Sequence, residues 1–368
     1  MPEKVMTTYT NSKLPHPRSA ESSAHKESYF AARNTASGFI SGFESIFANV
    51  SQKLILKGGP GTGKSTLIRA VAAEAENRGL SVEYFYCSSD TRSLDGVLIG
   101  DGKIAVLDGT SPHTVDARVP GIRDEIVNLG QFWNSKMLRE SSGEIRYYLD
   151  TISSTYKSVY DAMSIAASAE KLIERLILKH TDLVKMEHAA ERLARAYPSD
   201  GAPSRERFLS AFGVHGYVFL DSYEKRAEEI YTFRDRYCIS HVFLDMLKEK
   251  LTERHIGFDI SQSPVYSQSD ALILNSARVA FLPSAATPGK VINTERFIDR
   301  GISAERDEIR QLRAISSSAL RMAEKKLSYI GELHDELESI YIGAMDFKGI
   351  STFTRRLLVS IFKSGSDR

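Results

Sequence analysis

Short apolar runs alternate along this chain with long amphipathic stretches. Leu54-Ile55-Leu56 is a run of the kind that buried central strands carry. From Thr66 to Ala75 the apolar positions recur at helical spacing among good helix formers. Val82-Glu83-Tyr84-Phe85-Tyr86 and Ile104-Ala105-Val106-Leu107 are two further strand-like runs. The pattern predicts an α/β fold. Residues 121 to 196 are predicted helical through Ile122, Ile126, Leu129, Leu149, Ile152, Tyr156, Val159 and Met163, and residues 302 to 345 through Ile302, Ile309, Leu312, Leu327, Ile330, Leu333, Leu337 and Ile340. Such stripes pack on each other or on their sheets; the sharper alternative is a lid or partner-binding arm. Residues 1 to 27 are polar, with Pro2, Pro15 and Pro17, and are predicted to be a mobile tail. Tyr197-Pro198-Ser199-Asp200-Gly201-Ala202-Pro203 breaks the helical pattern and is predicted to be an inter-domain linker.

The chain also repeats itself. Phe30 pairs with Phe208, Gly38 with Gly216, Phe39 with Tyr217 and Ile40 with Val218, which predicts two short strands around a glycine turn in each half. With small slips in register, Leu54-Ile55-Leu56 matches Ile230-Tyr231-Thr232, Leu94–Ile99 matches Ser269–Leu274, and Ile104–Leu107 matches Val279–Leu282. At the helical ends, Tyr160, Ala162 and Met163 are expected to answer Tyr341, Ala344 and Met345. The predicted architecture is therefore two tandem P-loop NTPase-like domains, 28–200 and 205–368. Each is a mostly parallel sheet with flanking helices and a helical extension.

The chemistry concentrates in Gly58-Gly59-Pro60-Gly61-Thr62-Gly63-Lys64-Ser65-Thr66, a complete P-loop motif between a strand and a helix. The glycines permit backbone angles that a Cβ forbids, so successive N–H groups can turn toward a phosphate. The helix start favours an anion by roughly 0.3 to 1 kcal/mol. Lys64 is expected to reach the β- and γ-phosphates of ATP, and the Ser65 hydroxyl to bind Mg²⁺. Asp108 ends an apolar run in the manner of a Walker B strand and is expected on the metal side as well as in catalysis.

The second half reads Arg234-Asp235-Arg236-Tyr237-Cys238-Ile239-Ser240-His241 at the loop and Pro283 at the position of Asp108. Cradle and metal carboxylate are lost together. The same comparison filters other residues. Asp95 has a counterpart in Asp270, so it is expected to cap a turn or helix. Asp90, Arg92 and His113 face Tyr266, Gln268 and Pro288 and track with the intact loop. Asp90 follows a strand at its carboxyl end and is expected to orient water or substrate, with Arg92 and His113 as weaker candidates for phosphate or substrate contacts.

Composition narrows the classes. The 368 residues suffice for two domains, and 48 basic against 47 acidic residues give a net charge of +1, so no global field attracts nucleic acid. There is no membrane-length apolar run and no secretory core. Two cysteines, Cys87 and Cys238, supply neither a disulfide framework nor a metal-ligand spacing; they suit a cytoplasmic protein and are expected to be small buried hydrophobes.

The P-loop wording, the Cys87-Ser88-Ser89-Asp90 and Leu94-Asp95-Gly96-Val97 segments and the duplication resemble an uncharacterised family of bacterial tandem P-loop ATP-binding proteins. The resemblance covers most of the chain after about residue 28. It implies ATP binding and hydrolysis, with no substrate assigned. That family often carries a second P-loop, which this chain lacks at 234 to 241. The GGPGTGKS wording also looks like motor and helicase loops, but no arginine-bearing helicase motif follows, and Asp108 is followed by Gly109 rather than an acid. The leading expectation is a Mg²⁺-dependent ATPase with one site in the first half. The alternatives are a small-molecule or nucleotide kinase and a nucleotide-sensing interaction module. Partners beyond ATP are not indicated, and a homo-oligomer is compatible with the sequence.

Overall fold

The computed structural model describes residues 26–283 and 288–363. The first half runs β1 (Lys26–Phe30), the hairpin β2 (Ala32–Thr35) and β3 (Gly38–Ser41), and α1 (Phe43–Ile46). It continues through β4 (Gln52–Lys57), α2 (Lys64–Asn77), β5 (Val82–Tyr86), β6 (Leu94–Ile99), β7 (Ile104–Asp108) and β8 (Asp124–Asn128). After a 3₁₀ turn at Leu129–Phe132 come α3 (Ser135–Glu140), α4 (Ser142–Leu178) and α5 (Leu183–Ala194).

The second half repeats the order with β9 (Arg205–Glu206), β10 (Ser210–Gly213), β11 (Gly216–Phe219), α6 (Ser222–Arg226), β12 (Glu229–Arg234), α7 (Ser240–Glu253), β13 (Phe258–Gln262), β14 (Ser269–Leu274), β15 (Val279–Leu282) and β16 (Lys290–Asn293). Two 3₁₀ turns, α8 (Arg306–Gly343) and α9 (Phe347–Lys363) complete it.

Each half builds a mixed six-stranded sheet, ordered β1-β5-β6-β7-β4-β8 and β9-β13-β14-β15-β12-β16. Neighbours are parallel except at β6 and at β14, which run against both of theirs. Their connections carry no crossover helix, and a short connection forces reversal. The fold is thus α/β with two sheets of one topology, and the repeat legible from Phe30 onward is a structural repeat. The pairs Phe30/Phe208 and Gly38/Gly216 occupy equivalent places. Phe30 N–H donates to the Phe208 carbonyl (2.8 Å), and the Asn34 amide donates to the Phe212 carbonyl (3.1 Å). Equivalent elements therefore meet across an approximate two-fold axis.

Central strand β4 buries Lys53 through Leu56, as its continuous apolar run requires when both faces are covered. Helix α2 buries Leu67, Ile68, Val71, Ala72 and Ala75, one stripe at helical spacing. Strand β14 splits its side chains by period two. Ala271 and Ile273 join the core of the first half, while Leu272 and Leu274 join that of the second.

Several expectations need correction. Helix was expected from residue 121, but 124–128 form edge strand β8 beside β4, with Ile126 54% and Ile122 88% exposed. Strand pairing there overrides an apolar spacing that mimics a helix. The tail expected at 1–27 falls on residues outside those described, save Lys26 and Glu27, which open β1. The expected match of Tyr160 to Tyr341 also fails: Tyr160 lies mid-way along α4 and Tyr341 in the last turn of α8. The ends fix another register, because Asp299 N–H donates to the His180 carbonyl and Asn134 N–H to that of Ala344. By that register the buried Val159, Met163, Ala166, Ala169 and Ile173 answer Ala323, Leu327, Ile330, Leu333 and Leu337.

The two long helices pack antiparallel, each about 55 Å long at 1.5 Å per residue. Each carries the chain across to the opposite half. As a result Met186, Ala190 and Ala194 of α5 lie in the core of the second half against α7, and Leu357, Ile361 and Phe362 of α9 lie in the core of the first. The linker segment is irregular, but Asp200 accepts from Ala202 and Gly257 N–H, which holds it against the second half.

A buried polar cluster joins the halves elsewhere. Asp259, fully buried, receives Arg205 through two bonds of 2.9 Å and also Arg226 and Asn275, while Arg226 reaches Glu27 and the Tyr29 hydroxyl of β1. Among the described residues no helix is long and apolar enough to cross a membrane.

Candidate functional site

The glycine loop lies where the sequence places it, between the carboxyl end of β4 and the first turn of α2. Gly61 and Gly63 take φ of +64° and +86°, which a side chain resists, and Gly63 is the residue that starts the helix. Thr62 is buried, and its hydroxyl donates to the Gly59 carbonyl (2.8 Å), which closes the loop on itself. Lys64 Nζ donates to the carbonyls of Gly58 (3.0 Å) and Gly59 (2.8 Å) and stands 3.6 Å from Asp108 Oδ2. Asp108 is brought there by register, since it pairs with Leu56 at the end of β4. Its other oxygen accepts from the Thr110 N–H and hydroxyl (2.8 and 2.6 Å). The Ser65 hydroxyl oxygen accepts from Leu94 N–H (3.0 Å), which leaves its own proton and a lone pair available. Gly58 through Thr66 and Asp108 thus form one constellation.

Asp90 is engaged by other side chains. Its carboxylate accepts from Arg92 through both backbone and guanidinium and pairs with His215 of the second half at 3.2 Å. Burial works to raise its pKa, but the Arg92 hydrogen bonds and charge and the His215 contact outweigh this and leave it lowered. A carboxylate so engaged latches the loop after β5 to its neighbours. Arg92 also reaches Asp335 of α8 (3.1 Å), and Val214 N–H donates to the Ser89 carbonyl.

Asp95 caps nothing. It is buried within β6, with Oδ2 3.1 Å from His113 Nε2. His113 stacks on Phe43 and meets Phe39 edge-on, on the segment that follows β7. Lys57 Nζ fastens that segment by donating to the Gly109 and Val115 carbonyls. Burial pushes the His113 pKa down, the Asp95 carboxylate and then Asp108 pull it up, and the net direction is up. Cys87 is half-buried and Cys238 exposed as whole residues, but burial raises the pKa of both thiols, that of Cys238 to about 11, and both are free.

The equivalent loop in the second half is filled from within. Asp235 stands at the position of Gly59, and its carboxylate accepts from the N–H groups of Ile239 (2.9 Å) and Ser240 (2.6 Å) and from the Thr294 hydroxyl (2.9 Å). The helix-start amides that would face a phosphate are taken by the protein's own anion. From the sequence Asp235 stands out only as an absent glycine; the carboxylate at that position is the signal that the loop is filled.

The last turns of α8 pack directly on the intact loop. A Cβ on Gly59 would lie 2.7 Å from the Tyr341 ring, and one on Gly61 would lie 2.8 Å from the Glu338 carbonyl and 3.0 Å from Ile342. Tyr341 also contacts Trp133, with ring centroids 6.2 Å apart. At the other loop, Glu174 near the end of α4 pairs with His241 at 3.2 Å. Each long helix thus ends at the loop of the opposite half, an arrangement that no local sequence signal announces.

An α/β chain with a glycine-rich strand-to-helix loop, a lysine and a strand-end carboxylate is the class that fold and site define. The family model described as Nephrocystin 3, N-terminal, matches residues 41–98, from the end of β3 through the loop and α2 into β6. No curated protein and no solved structure matches the chain.

Proposed function

We propose that the first half binds Mg²⁺-ATP at the 58–66 loop and hydrolyses it, and that the second half is a P-loop-type domain retained for its fold. The observation that carries this reading is the contrast between the two loops. Where the second half supplies Asp235 to its own helix-start amides, the first has Gly59, and there Lys64, next to Ser65 in the chain, stands 3.6 Å from Asp108. The resemblance to tandem P-loop ATP-binding proteins points the same way.

The residues fit the ligand. Gly58 to Gly63 are shaped to offer N–H groups, Lys64 supplies a mobile cation now resting on loop carbonyls and Asp108, and Ser65 and Asp108 would hold the metal. Mg²⁺ when bound supplies charge neutralisation to the phosphates. Thr110 holds one oxygen of Asp108 and so sets the direction of the other. Since Asp90 is bound by Arg92 and His215, it serves this reading as a latch rather than a water-orienting group.

Calorimetric titration with ATP and Mg²⁺ tests the reading. One equivalent should bind to the wild type and none to Lys64→Ala or Ser65→Ala, while Arg236→Ala behaves as wild type. No binding, or two equivalents that survive Lys64→Ala, overturns it. ADP release without an added acceptor separates hydrolysis from a kinase. A second reading, a nucleotide sensor without turnover, is favoured by the seating of Glu338 and Tyr341 on the loop. Tight binding with turnover no faster than that of Lys64→Ala would select it.

A further inference from the structure

Beside the glycine loop the structure collects three chemically different donors that the proposed nucleotide site does not use. The Cys87 thiol, the Asp95 carboxylate and the His113 imidazole place one donor atom each within 4.8 Å of one another. They arrive from three places: the segment leaving β5, strand β6, and the segment after β7. We propose that Cys87, Asp95 and His113 form a binding site for a zinc-type divalent transition metal, with a fourth position left for water or an outside ligand.

The donor set selects the metal. A thiolate and an imidazole suit Zn²⁺ or Co²⁺, whereas Mg²⁺ and Ca²⁺ take oxygen donors. The spacing is close to what one ion requires. Bonds of about 2.0 to 2.2 Å to nitrogen and oxygen put tetrahedral ligands roughly 3.3 Å apart. His113 Nε2 and Asp95 Oδ2 already stand 3.1 Å apart. Cys87 would close the remaining distance by a side-chain rotation; burial holds its thiol pKa well above the usual value, so a metal bound there would displace the thiol proton.

Hydrogen bonding argues for an occupant. Asp95 and His113 each have only 6% of the side chain exposed; His113 Nδ1 is buried without a hydrogen-bond partner, and Asp95 Oδ2 has His113 Nε2, 3.1 Å away, as its close partner. An unsatisfied buried polar atom costs about 1 to 3 kcal/mol, and native interiors hold few of them. A cation shared by Asp95 Oδ2 and His113 Nε2 would neutralise a carboxylate held in a buried place. The His113 ring is already held in place by packing against Phe43 and Phe39.

The repeat supplies a control within the chain. Asp270 occupies the place of Asp95, but Ser263 and Pro288 stand where Cys87 and His113 do, so the second half keeps the carboxylate and loses both nitrogen and sulfur. Cys87 and Asp95 bracket the 87–95 segment, which carries Asp90 and Arg92 with their contacts to His215 and Asp335. A metal here would fix the segment through which the first half grips the second.

The test uses the full chain, stripped with chelator under reducing conditions and titrated with Co²⁺ in excess Mg²⁺. The expected result is one equivalent, with the visible bands of four-coordinate cobalt and a sulfur-to-cobalt charge-transfer band. Cys87→Ser should lose the charge-transfer band and His113→Gln the stoichiometric binding, while Cys238→Ser matches wild type. Absence of the charge-transfer band from the wild type overturns the proposal, and this holds even if a variant fails to fold. So does its persistence in Cys87→Ser. Calorimetric ATP binding, measured separately on the stripped protein, reports on the nucleotide site alone, so failure of one reading leaves the other standing.

Discussion

At the scale of single residues, the two loops differ most informatively at Gly59 and Asp235. A carboxylate that accepts two helix-start N–H groups is worth about 1 to 2 kcal/mol as a cap. Asp235→Ala should therefore lower the thermal or urea stability of the chain by that amount and create no second nucleotide site, as a denaturation curve and a Mg²⁺-ATP titration together would show. Recovery of a second equivalent would mean that Asp235 alone blocks the loop. The residue scale is also where sequence reading went furthest and where its limits show. Gly58 to Thr66 and Asp108 were legible because strand, loop and helix chemistry is local. Asp95 was misassigned because a buried ion pair with His113, eighteen positions away, has no local signature. Asp90 was legible as an acid near a strand end, but the residues that engage it come in part from the second half.

Among the elements, α8 and α9 act on the half to which they do not belong in sequence. Gly61→Ala would place a methyl group 2.8 Å from the Glu338 carbonyl at a backbone angle unfavourable for alanine by about 1 to 2 kcal/mol. It should weaken both ATP binding and the seating of α8, the latter read as faster amide exchange in 335–343. Unchanged exchange would show that α8 is held without the loop. Ile361 of α9, 1% exposed, packs in the first core. Ile361→Ala should cost about 2 to 4 kcal/mol in chemical denaturation. Strands β4, β5 and β7 and the short hairpins were legible because short apolar runs and glycine turns are local, whereas edge strand β8 was read as helix. Helix α4 was legible as a helix, but its register against α8 was not, because a uniform apolar stripe fits several offsets equally well.

For the whole molecule, the contact between halves depends on a buried charge cluster. Burial alone would raise the Asp259 pKa, but Arg205 with its paired hydrogen bonds, Asn275 and Arg226 lower it on balance. A carboxyl group whose folded pKa is depressed contributes stability above its unfolded value of about 3.9, and that stability is lost as pH falls through the folded value. Asp259→Asn should cost about 3 kcal/mol or more near neutral pH and flatten the loss of stability below pH 4, measured by denaturation at a series of pH values. An unchanged acid profile would assign the acid sensitivity elsewhere. This cluster was invisible in the sequence, since Glu27, Tyr29, Arg205, Arg226 and Asp259 meet only once the halves have come together.

The traded ends, α5 in one core and α9 in the other, make the gene indivisible at its most obvious cutting point. A fragment stopping at 200 would present α5 with nothing to cover Met186 and would lack the wedge of Leu357, Ile361 and Phe362 over its own sheet. Fragments 1–200 and 201–368 should each be insoluble when made separately and soluble as a stoichiometric pair when made together. The molecule is knitted rather than strung, and duplication here yielded one cooperative body instead of two beads.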